Sequence, residues 1–233
     1  MRAEDGSKVF LAAFSDPKAV ANYAEGPRRM VPGLEALHRM CGVLLHERAP
    51  DAARVLVVGA GGGLELKFLA QAYPGWTFVG VDPAAEMLRE AERTLGELNA
   101  RVELVQGYVE DVASGDFDAA TCLLTLHFLG HEDRRRTAAE IHGRLTPGAP
   151  FVAAHGSFPQ GSAERDLWLD RYAAYAIASG VEPERARAAR DAVSDSVNMM
   201  APEYDEAILR EAGFKDVALF YAAFTWRGWC GCA

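Results

Sequence analysis

The residues best suited to chemistry are a run of glycines and an aspartate further along the chain. Residues 55–58 form a short apolar segment that runs directly into Gly-Ala-Gly-Gly-Gly at positions 59–63, and a helical pattern follows to about residue 73. Glycines after a strand permit a tight turn and let the backbone approach a ligand, whose polar end meets free N–H groups at the helix start. The pattern predicts a loop that binds a nucleotide-like cofactor.

The aspartate is Asp82, which closes a second apolar segment at residues 77–81. A carboxylate at the end of this strand can accept hydrogen bonds from both ribose hydroxyls of an adenosine. Asp82 followed by Pro83 would also suit a helix cap, but its distance from the glycines favours the ligand role. The two features together predict an adenosine-containing cofactor.

Two common phosphate-binding motifs do not fit the glycine run. A dinucleotide fingerprint beginning at Gly59 and Gly61 requires a third glycine at position 64, which is Leu64. No Gly-Lys-Ser or Gly-Lys-Thr follows the glycines, so a Walker-type phosphate loop is excluded.

The elements that must position these residues alternate along the chain. After a helical segment at residues 17–48, apolar runs alternate with helical patterns, and Thr146, Pro147 and Gly148 end one helix that starts near Glu132. This alternation predicts an α/β fold with a doubly wound sheet that ends in an antiparallel pair. The predicted strands are residues 55–58, 77–81, 102–106, 117–124, 150–154, 215–221 and 224–230.

Residues 160–200 interrupt this alternation with polar and aromatic helices. Trp168, Tyr172 and Tyr175 recur at helical spacing. We interpret the segment as a cap or lid whose aromatic residues either line a pocket or pack within an amphipathic helix.

Composition limits the classes of partner. The chain has 233 residues, enough for one large domain, and a formal charge of −9, which gives no general attraction to nucleic acid. The basic run at positions 134–136 is interpreted as a solvated helix face. No apolar stretch is long enough for a membrane span and no signal-peptide core is present, so a cytoplasmic location is expected. The cysteines, at positions 41, 122, 230 and 232, are too scattered for a zinc site, and no metal is predicted.

These features resemble the class I S-adenosylmethionine-dependent methyltransferase family. The glycine run is similar to its first motif, residues 81–88 to its second and residues 117–129 to its fourth. Residues 145–149 are similar to the turn before its fifth strand, and residues 212–214 to the turn into its closing hairpin. The resemblance extends from about residue 17 to the C-terminus. It implies a Rossmann-like, seven-stranded, mostly parallel sheet with an antiparallel C-terminal hairpin and a helical cap.

The resemblance divides the chain into three parts. Residues 1–50 would form an N-terminal helical lid segment, residues 51–157 and 202–233 the cofactor-binding domain, and residues 158–201 a helical cap inserted into it.

The resemblance also implies S-adenosyl-L-methionine as the cofactor and assigns residues to it. Gly59, Ala60 and Gly61 would lie against the methionine part and Asp82 would take the ribose hydroxyls. The other implied cofactor-binding residues are Pro83, Met87, Tyr108, Val109, Leu123 and Leu124. The family commonly has Asp where this chain has Tyr108, so the contact to the adenine amine is more safely assigned to the Val109 backbone.

The N-terminal segment carries two further candidates. Tyr23 and the run at residues 28–33, which includes Arg29, resemble the lid-side segment of small-molecule methyltransferases and of carboxy-S-adenosylmethionine synthases that act in tRNA modification. Tyr23 could cover the sulfonium and Arg29 could pair with the methionine carboxylate. An aromatic core residue and surface arginines are the equally weighted alternative.

The predicted reaction is in-line methyl transfer to a small-molecule acceptor, without nucleic-acid or membrane partners. Positioning and desolvation can supply much of the rate. If a base removes a proton from the acceptor, His127 beyond the fourth strand is the first candidate and His155 the second. A carboxy-S-adenosylmethionine synthase and a non-catalytic cofactor-binding protein remain alternatives, and a homodimer is left open.

Overall fold

The centre of the molecule is a seven-stranded sheet. The computed structural model describes Phe14, Val20 and residues 25–233. The strands are β1 (Arg54–Val58), β2 (Thr77–Asp82), β3 (Val102–Gln106), β4 (Ala119–Leu123), β5 (Pro150–Gly156), β6 (Lys215–Ala223) and β7 (Trp226–Cys232). Their order is β3-β2-β1-β4-β5-β7-β6; the first five are parallel, and β7 is antiparallel to both β5 and β6. This confirms the predicted sheet and its closing hairpin.

Helices cover both faces of this sheet. They are α1 (Glu25–Met30), α2 (Leu34–His46), α3 (Leu64–Ala72), α4 (Ala85–Leu95), α5 (His131–His142), α6 (Ser162–Ala178), α7 (Pro183–Ser196) and α8 (Pro202–Glu211). Alternate side chains of β1 enter opposite cores: Val55 and Val57 pack with α2 and α3, while Leu56 and Val58 pack with α5 and α8. The uninterrupted apolar run of β1 is therefore explained by burial on both faces.

Several boundaries differ from the predicted ones. The helical segment predicted over residues 17–48 contains α1 and α2 in its described part, separated at residues 31–33, where Gly33 adopts a φ of 67° before α2 begins. The helix predicted to reach residue 145 ends at His142, where Gly143 follows. Strand β5 continues to Gly156 rather than ending at residue 154, because it stays paired with β7.

The segment between β5 and α8 forms two helices, α6 and α7, which are called the cap helices below. Helices α6 and α7 pack against each other and share a small core of their own. The fully or largely buried members of this core are Phe158, Leu169, Val193 and Val197.

A buried ion pair fixes the end of this segment to the sheet. The Arg134 side chain on α5 is 1% exposed and pairs with Asp205 on α8; its second guanidinium nitrogen donates to the Asn198 carbonyl at 2.7 Å. The interpretation of residues 134–136 as a solvated face is therefore wrong for Arg134, which lies on the side of α5 that faces the core, and right for Arg135 and Arg136. Burial opposes ionisation of Asp205, but His155 and Arg134 overcome it and lower the pKa of this carboxyl to about 2.

We expect Asp205→Ala to lower the free energy of unfolding by about 3–5 kcal/mol, because Arg134 would keep its charge in the core without a counter-charge. Since the pKa of Asp205 is lowered on folding, its contribution should be present above about pH 4 and be lost as the pH falls towards 2. Urea denaturation at several pH values measures both effects. Asp133→Ala removes the exposed partner of Arg136 and is the matched control, expected to cost about 0.5 kcal/mol or less. Equal losses in the two variants would contradict the role assigned to Asp205.

Candidate active site

The glycine loop lies between β1 and α3 and has a conformation that requires glycine. Gly59 has a φ of 76°, and a Cβ atom there would lie 1.9 Å from the Thr125 hydroxyl oxygen. The backbone N–H groups of Gly59 and Ala60 both donate to the Val81 carbonyl, at 2.8 and 3.0 Å. The loop is therefore pressed against the chain that follows β4 and is held by the end of β2.

Asp82 completes this arrangement with its side chain. Its Oδ2 accepts the Gly61 N–H at 3.0 Å and its Oδ1 accepts the Ala84 N–H at 2.9 Å, just before α4 begins. Burial raises the pKa of Asp82, and the hydrogen bonds from Ala84 and Gly61 oppose this rise. Each carboxylate oxygen has a second lone pair. Asp82 can thus order the turn before α4, hold the loop and still accept a ribose hydroxyl.

A cavity of about 130 Å³ lies over the loop and the ends of β1, β2 and β4. It brings together most of the residues assigned from the sequence, and a smaller cavity beside it is lined by Ala60. The assigned residues that line the larger cavity are Gly59, Gly61, Asp82, Pro83, Met87, Tyr108, Val109, Leu123 and Leu124.

Tyr108 lines this cavity and remains 51% exposed. Its backbone N–H donates to Asp111 Oδ2 at 2.9 Å, and the neighbouring Gly107 N–H donates to the Asp82 carbonyl at 3.1 Å. Position 108 thus lacks the carboxylate that is common in the family, but Asp111, three residues later, supplies one that orders the loop around Tyr108. The buried Val109 stays the safer candidate for a backbone contact to adenine.

The structure describes only one of the two remaining assigned residues, and that residue does not line this cavity. Tyr23 lies outside the described residues. The Arg29 guanidinium donates to the Gly180 carbonyl and to Glu25, both at 3.1 Å, and so connects α1 to the turn between α6 and α7. These bonds occupy Arg29 at a distance from the glycine loop, so a role in binding the methionine carboxylate stays a prediction without support from this geometry.

A second, larger cavity of about 320 Å³ adjoins the first. The two share Phe14, Leu124 and Phe128, and the rings of Phe14 and Phe128 meet edge to face at 5.7 Å. The other residues around it come from α1, the cap helices, β7 and the connecting segments. They are Gly26, Pro27, Met30, Val31, His127, Tyr172, Arg185, Val193, Val197, Met199 and Trp226.

The three cap aromatics have different environments. Tyr172 lines the larger cavity. The Trp168 ring instead lies beneath the guanidinium groups of Arg171 and Arg227, and Tyr175 packs against Phe224. Tyr172 is therefore a pocket-lining residue, as one of the two alternatives predicted. Trp168 and Tyr175 pack against neighbouring side chains, as the other alternative predicted.

His127 lines the larger cavity and is only 5% exposed. Burial, together with the charges of His155 and Arg134, holds its pKa well below the usual 6.5, so the ring is neutral at pH 7. The Gly156 N–H donates to Nδ1 at 3.4 Å, which assigns the ring hydrogen to Nε2. His155 lies behind it, with ring centroids 6.5 Å apart and its own Nε2 3.2 Å from Asp205. His155 therefore belongs to the buried ion-pair cluster.

Several residues that line the cofactor cavity were given no role from the sequence, although three of them lie within residues 117–129, the segment that resembles the family's fourth motif. Phe14, Thr125, Phe128 and Leu129 line the cofactor cavity, yet aromatic and aliphatic residues of this kind are usual in any core. A stronger signal would have been the position of Phe128 in the short turn just after β4, at the edge of the sheet where ligands bind.

Residues 55–148 match the sequence profile of a family described as a methyltransferase domain. This segment contains the glycine loop, Asp82 and the turn that carries His127. Over this segment the chain is similar to methyltransferase domains. This match, together with the relatives and solved structures of methyltransferases, supports the predicted family, the enzyme class and S-adenosylmethionine as the cofactor, while the individual side-chain roles remain predictions.

For one of two relatives, the similarity extends well beyond this domain. The chain is 29% identical over 219 residues to a carboxy-S-adenosyl-L-methionine synthase of Chromohalobacter salexigens, covering 91% of this chain and 80% of that protein. It is 37% identical over 103 residues to a trans-aconitate 2-methyltransferase of Pseudomonas aeruginosa, covering 44% of this chain and 35% of that protein.

Solved structures of methyltransferases have a similar fold. An O-methyltransferase family protein of Burkholderia thailandensis superposes with a TM-score of 0.70 at 15% identity, over 93% of this chain and 60% of that one. A S-adenosylmethionine-dependent methyltransferase of Aquifex aeolicus superposes with a TM-score of 0.63 at 17% identity, over 93% and 98%. The chain spans only part of the first structure and nearly all of the second.

Neither a metal site nor a membrane span is found in the part of the chain that the structure describes. Over those residues, no three His, Cys, Asp or Glu side chains are grouped as metal ligands, and none of the helices is both long and apolar enough to cross a bilayer.

We expect Asp82→Asn to weaken S-adenosylmethionine binding by about 1.5–3 kcal/mol, because it removes the negative acceptor for the ribose hydroxyls while keeping the side-chain shape. Isothermal titration calorimetry measures the change. Asp118→Asn is the control, since the Asp118 carboxylate also accepts a backbone N–H, from Arg54 at 2.8 Å, but at the opposite end of β1. An unchanged affinity in folded Asp82→Asn would limit Asp82 to holding the glycine loop and the turn before α4.

Proposed function

We propose that this protein transfers the methyl group of S-adenosylmethionine to a small-molecule acceptor. The observation that carries the proposal is that the cofactor cavity adjoins the larger cavity beneath the cap across Leu124 and Phe128. A donor and an acceptor held in adjoining, largely apolar cavities can meet in line and without water, which is the main requirement for displacement at a sulfonium carbon.

The acceptor inferred from the larger cavity is a metabolite with an apolar body. A volume of about 320 Å³ suits a small ligand, and the formal charge of −9 gives no general attraction to nucleic acid. The four cysteines are free thiols, which fits the reducing cytoplasm that we propose as its location.

We infer that His127 is the catalytic side chain. A neutral ring with its hydrogen on Nε2 can donate a hydrogen bond to an acceptor oxygen and so orient it. To act as the base at Nε2, the ring would have to move its hydrogen to Nδ1 and give up the bond from the Gly156 N–H. The geometry therefore favours orientation of the acceptor over proton removal.

Two substitutions separate these roles. If His127 orients the acceptor as a donor, His127→Gln should keep much of kcat because its amide can donate, while His127→Ala should lose about 10-fold or more. If His127 is the base, both variants should lose about 10²–10⁴-fold. Single-turnover kinetics gives the rates, and ring nitrogen NMR shifts of the wild type report whether Nε2 carries the hydrogen. Full activity in both variants would remove His127 from catalysis.

A second candidate function is carboxylation of the cofactor. It is favoured by the relatives named carboxy-S-adenosyl-L-methionine synthase and by Arg185, which alone among the described lining residues of the larger cavity carries a positive charge. A carboxylate held in this cavity would be stabilised by such a cation.

Mass spectrometry distinguishes the candidates. Incubation with methyl-labelled S-adenosylmethionine and a metabolite extract should yield labelled small products and S-adenosylhomocysteine. A carboxylated cofactor, in the protein or in solution, would instead support the synthase. Binding without either product would leave a non-catalytic cofactor-binding protein, and Asp82→Asn is the low-affinity control for all three outcomes.

A further inference from the structure

A third cavity extends the cofactor site on the side of the glycine loop away from residues 107–109. It is small, about 40 Å³, and shares Gly59, Gly61, Leu123 and Leu124 with the cofactor cavity. Its other walls come from α1, α2 and the start of α3. In a cofactor whose ribose is held at Asp82, the amino-acid tail continues past the glycines, so this chamber is where the charged end of that tail would lie.

The chamber contains a buried carboxyl group without a counter-charge. Glu65, in the first turn of α3, is 7% exposed and lines the chamber, and its Oε1 has no hydrogen-bond partner. Burial raises the pKa of Glu65 to about 7, and the Thr121 hydroxyl partly offsets this rise. An unpaired carboxyl in a core is costly and is usually neutralised by a proton or a partner.

The groups around Glu65 do not supply that partner. His38 on α2 lines the same chamber, but burial and the charge of Arg28 lower its pKa to about 4, so it is neutral at pH 7. The thiols of Cys41 and Cys122 also feel the Glu65 charge, and burial together with that charge raises their pKa values, so both stay protonated. The chamber therefore offers a carboxyl group among neutral groups, and a small cation bound beside it would stabilise its anionic form.

We propose that Glu65 binds the α-ammonium group of the methionine part of the cofactor. The proposal rests on the proposed function, because it requires S-adenosylmethionine to occupy the cofactor cavity. Glu65 is then a specificity-determining residue that separates cofactors with an amino-acid tail from simpler adenosine thioethers. The bound ammonium group would then be the counter-charge of Glu65, which has none in the protein alone.

The test compares two ligands that differ only in that tail. S-adenosylhomocysteine carries the ammonium and carboxylate groups, whereas 5′-methylthioadenosine keeps the adenosine and the thioether and lacks both. By calorimetry, Glu65→Gln should weaken S-adenosylhomocysteine binding about 10- to 100-fold, the range for a lost charge-assisted hydrogen bond. Its affinity for 5′-methylthioadenosine should change less than twofold.

Each other result contradicts a defined part of the proposal. An equal loss for both ligands would make Glu65 a support of the glycine loop, and no loss for either would make it a structural carboxyl. Wild-type protein that binds neither ligand would overturn the proposed function itself. Glu35→Gln, on the exposed side of α2, is the control for a non-specific charge effect.

A second measurement compares two ligands on the wild-type protein, so its main result does not depend on whether the Glu65→Gln variant folds. The analogue of S-adenosylhomocysteine that lacks only the amino group should bind the wild type at least 10-fold more weakly than S-adenosylhomocysteine does. In Glu65→Gln this preference should shrink to about twofold. A wild type that does not distinguish the two ligands would overturn the assignment of the ammonium to Glu65.

Discussion

The site depends on the hydrogen bonds by which the end of β2 holds the glycine loop. Asp82 accepts N–H groups from Gly61 and Ala84, while the preceding Val81 carbonyl accepts those of Gly59 and Ala60. One strand end therefore sets the shape of the loop, the start of α4 and the floor of the cavity. A carboxylate held by two backbone donors need not reorganise when a ribose arrives, so the geometry required for binding is already present in the protein alone.

The place where the cavities meet follows from the order of the strands. β1 and β4 lie side by side at the centre of the sheet, where the winding reverses, and ligands of open α/β sheets bind at this position. The chain after β4 must turn there, and Leu124 does so with a φ of 55°, a conformation that costs a non-glycine residue of order 1–3 kcal/mol. Leu124 lines all three cavities. The strained residue is thus located where the donor and the acceptor would meet.

The sheet and the cofactor loop could be predicted from the sequence because each depends on local patterns: apolar runs at strand spacing, glycines, and an aspartate at a strand end. Arg134 could not, since three adjacent arginines look alike until α8 brings Asp205, 71 residues away, against one of them. Glu65 was equally hidden, because a glutamate in the first turn of a helix is ordinary until the packing of α2 and β4 buries it. Arg185 and Phe14 reach the cavities only through tertiary contacts.

The charges around the cavities suit a cationic cofactor. Burial keeps His38 and His127 neutral, Arg134 is balanced by Asp205, and the acidic groups that face the cofactor cavities, Asp82 and Glu65, remain. Methyl transfer removes the positive charge from the sulfonium sulfur. Cavities that contain few other cations and little water stabilise a localised charge poorly, so they favour the reaction in which this charge is dispersed. An anionic acceptor oriented by Arg185 would gain most from this arrangement, because the reaction would then cancel two opposite charges inside an apolar space.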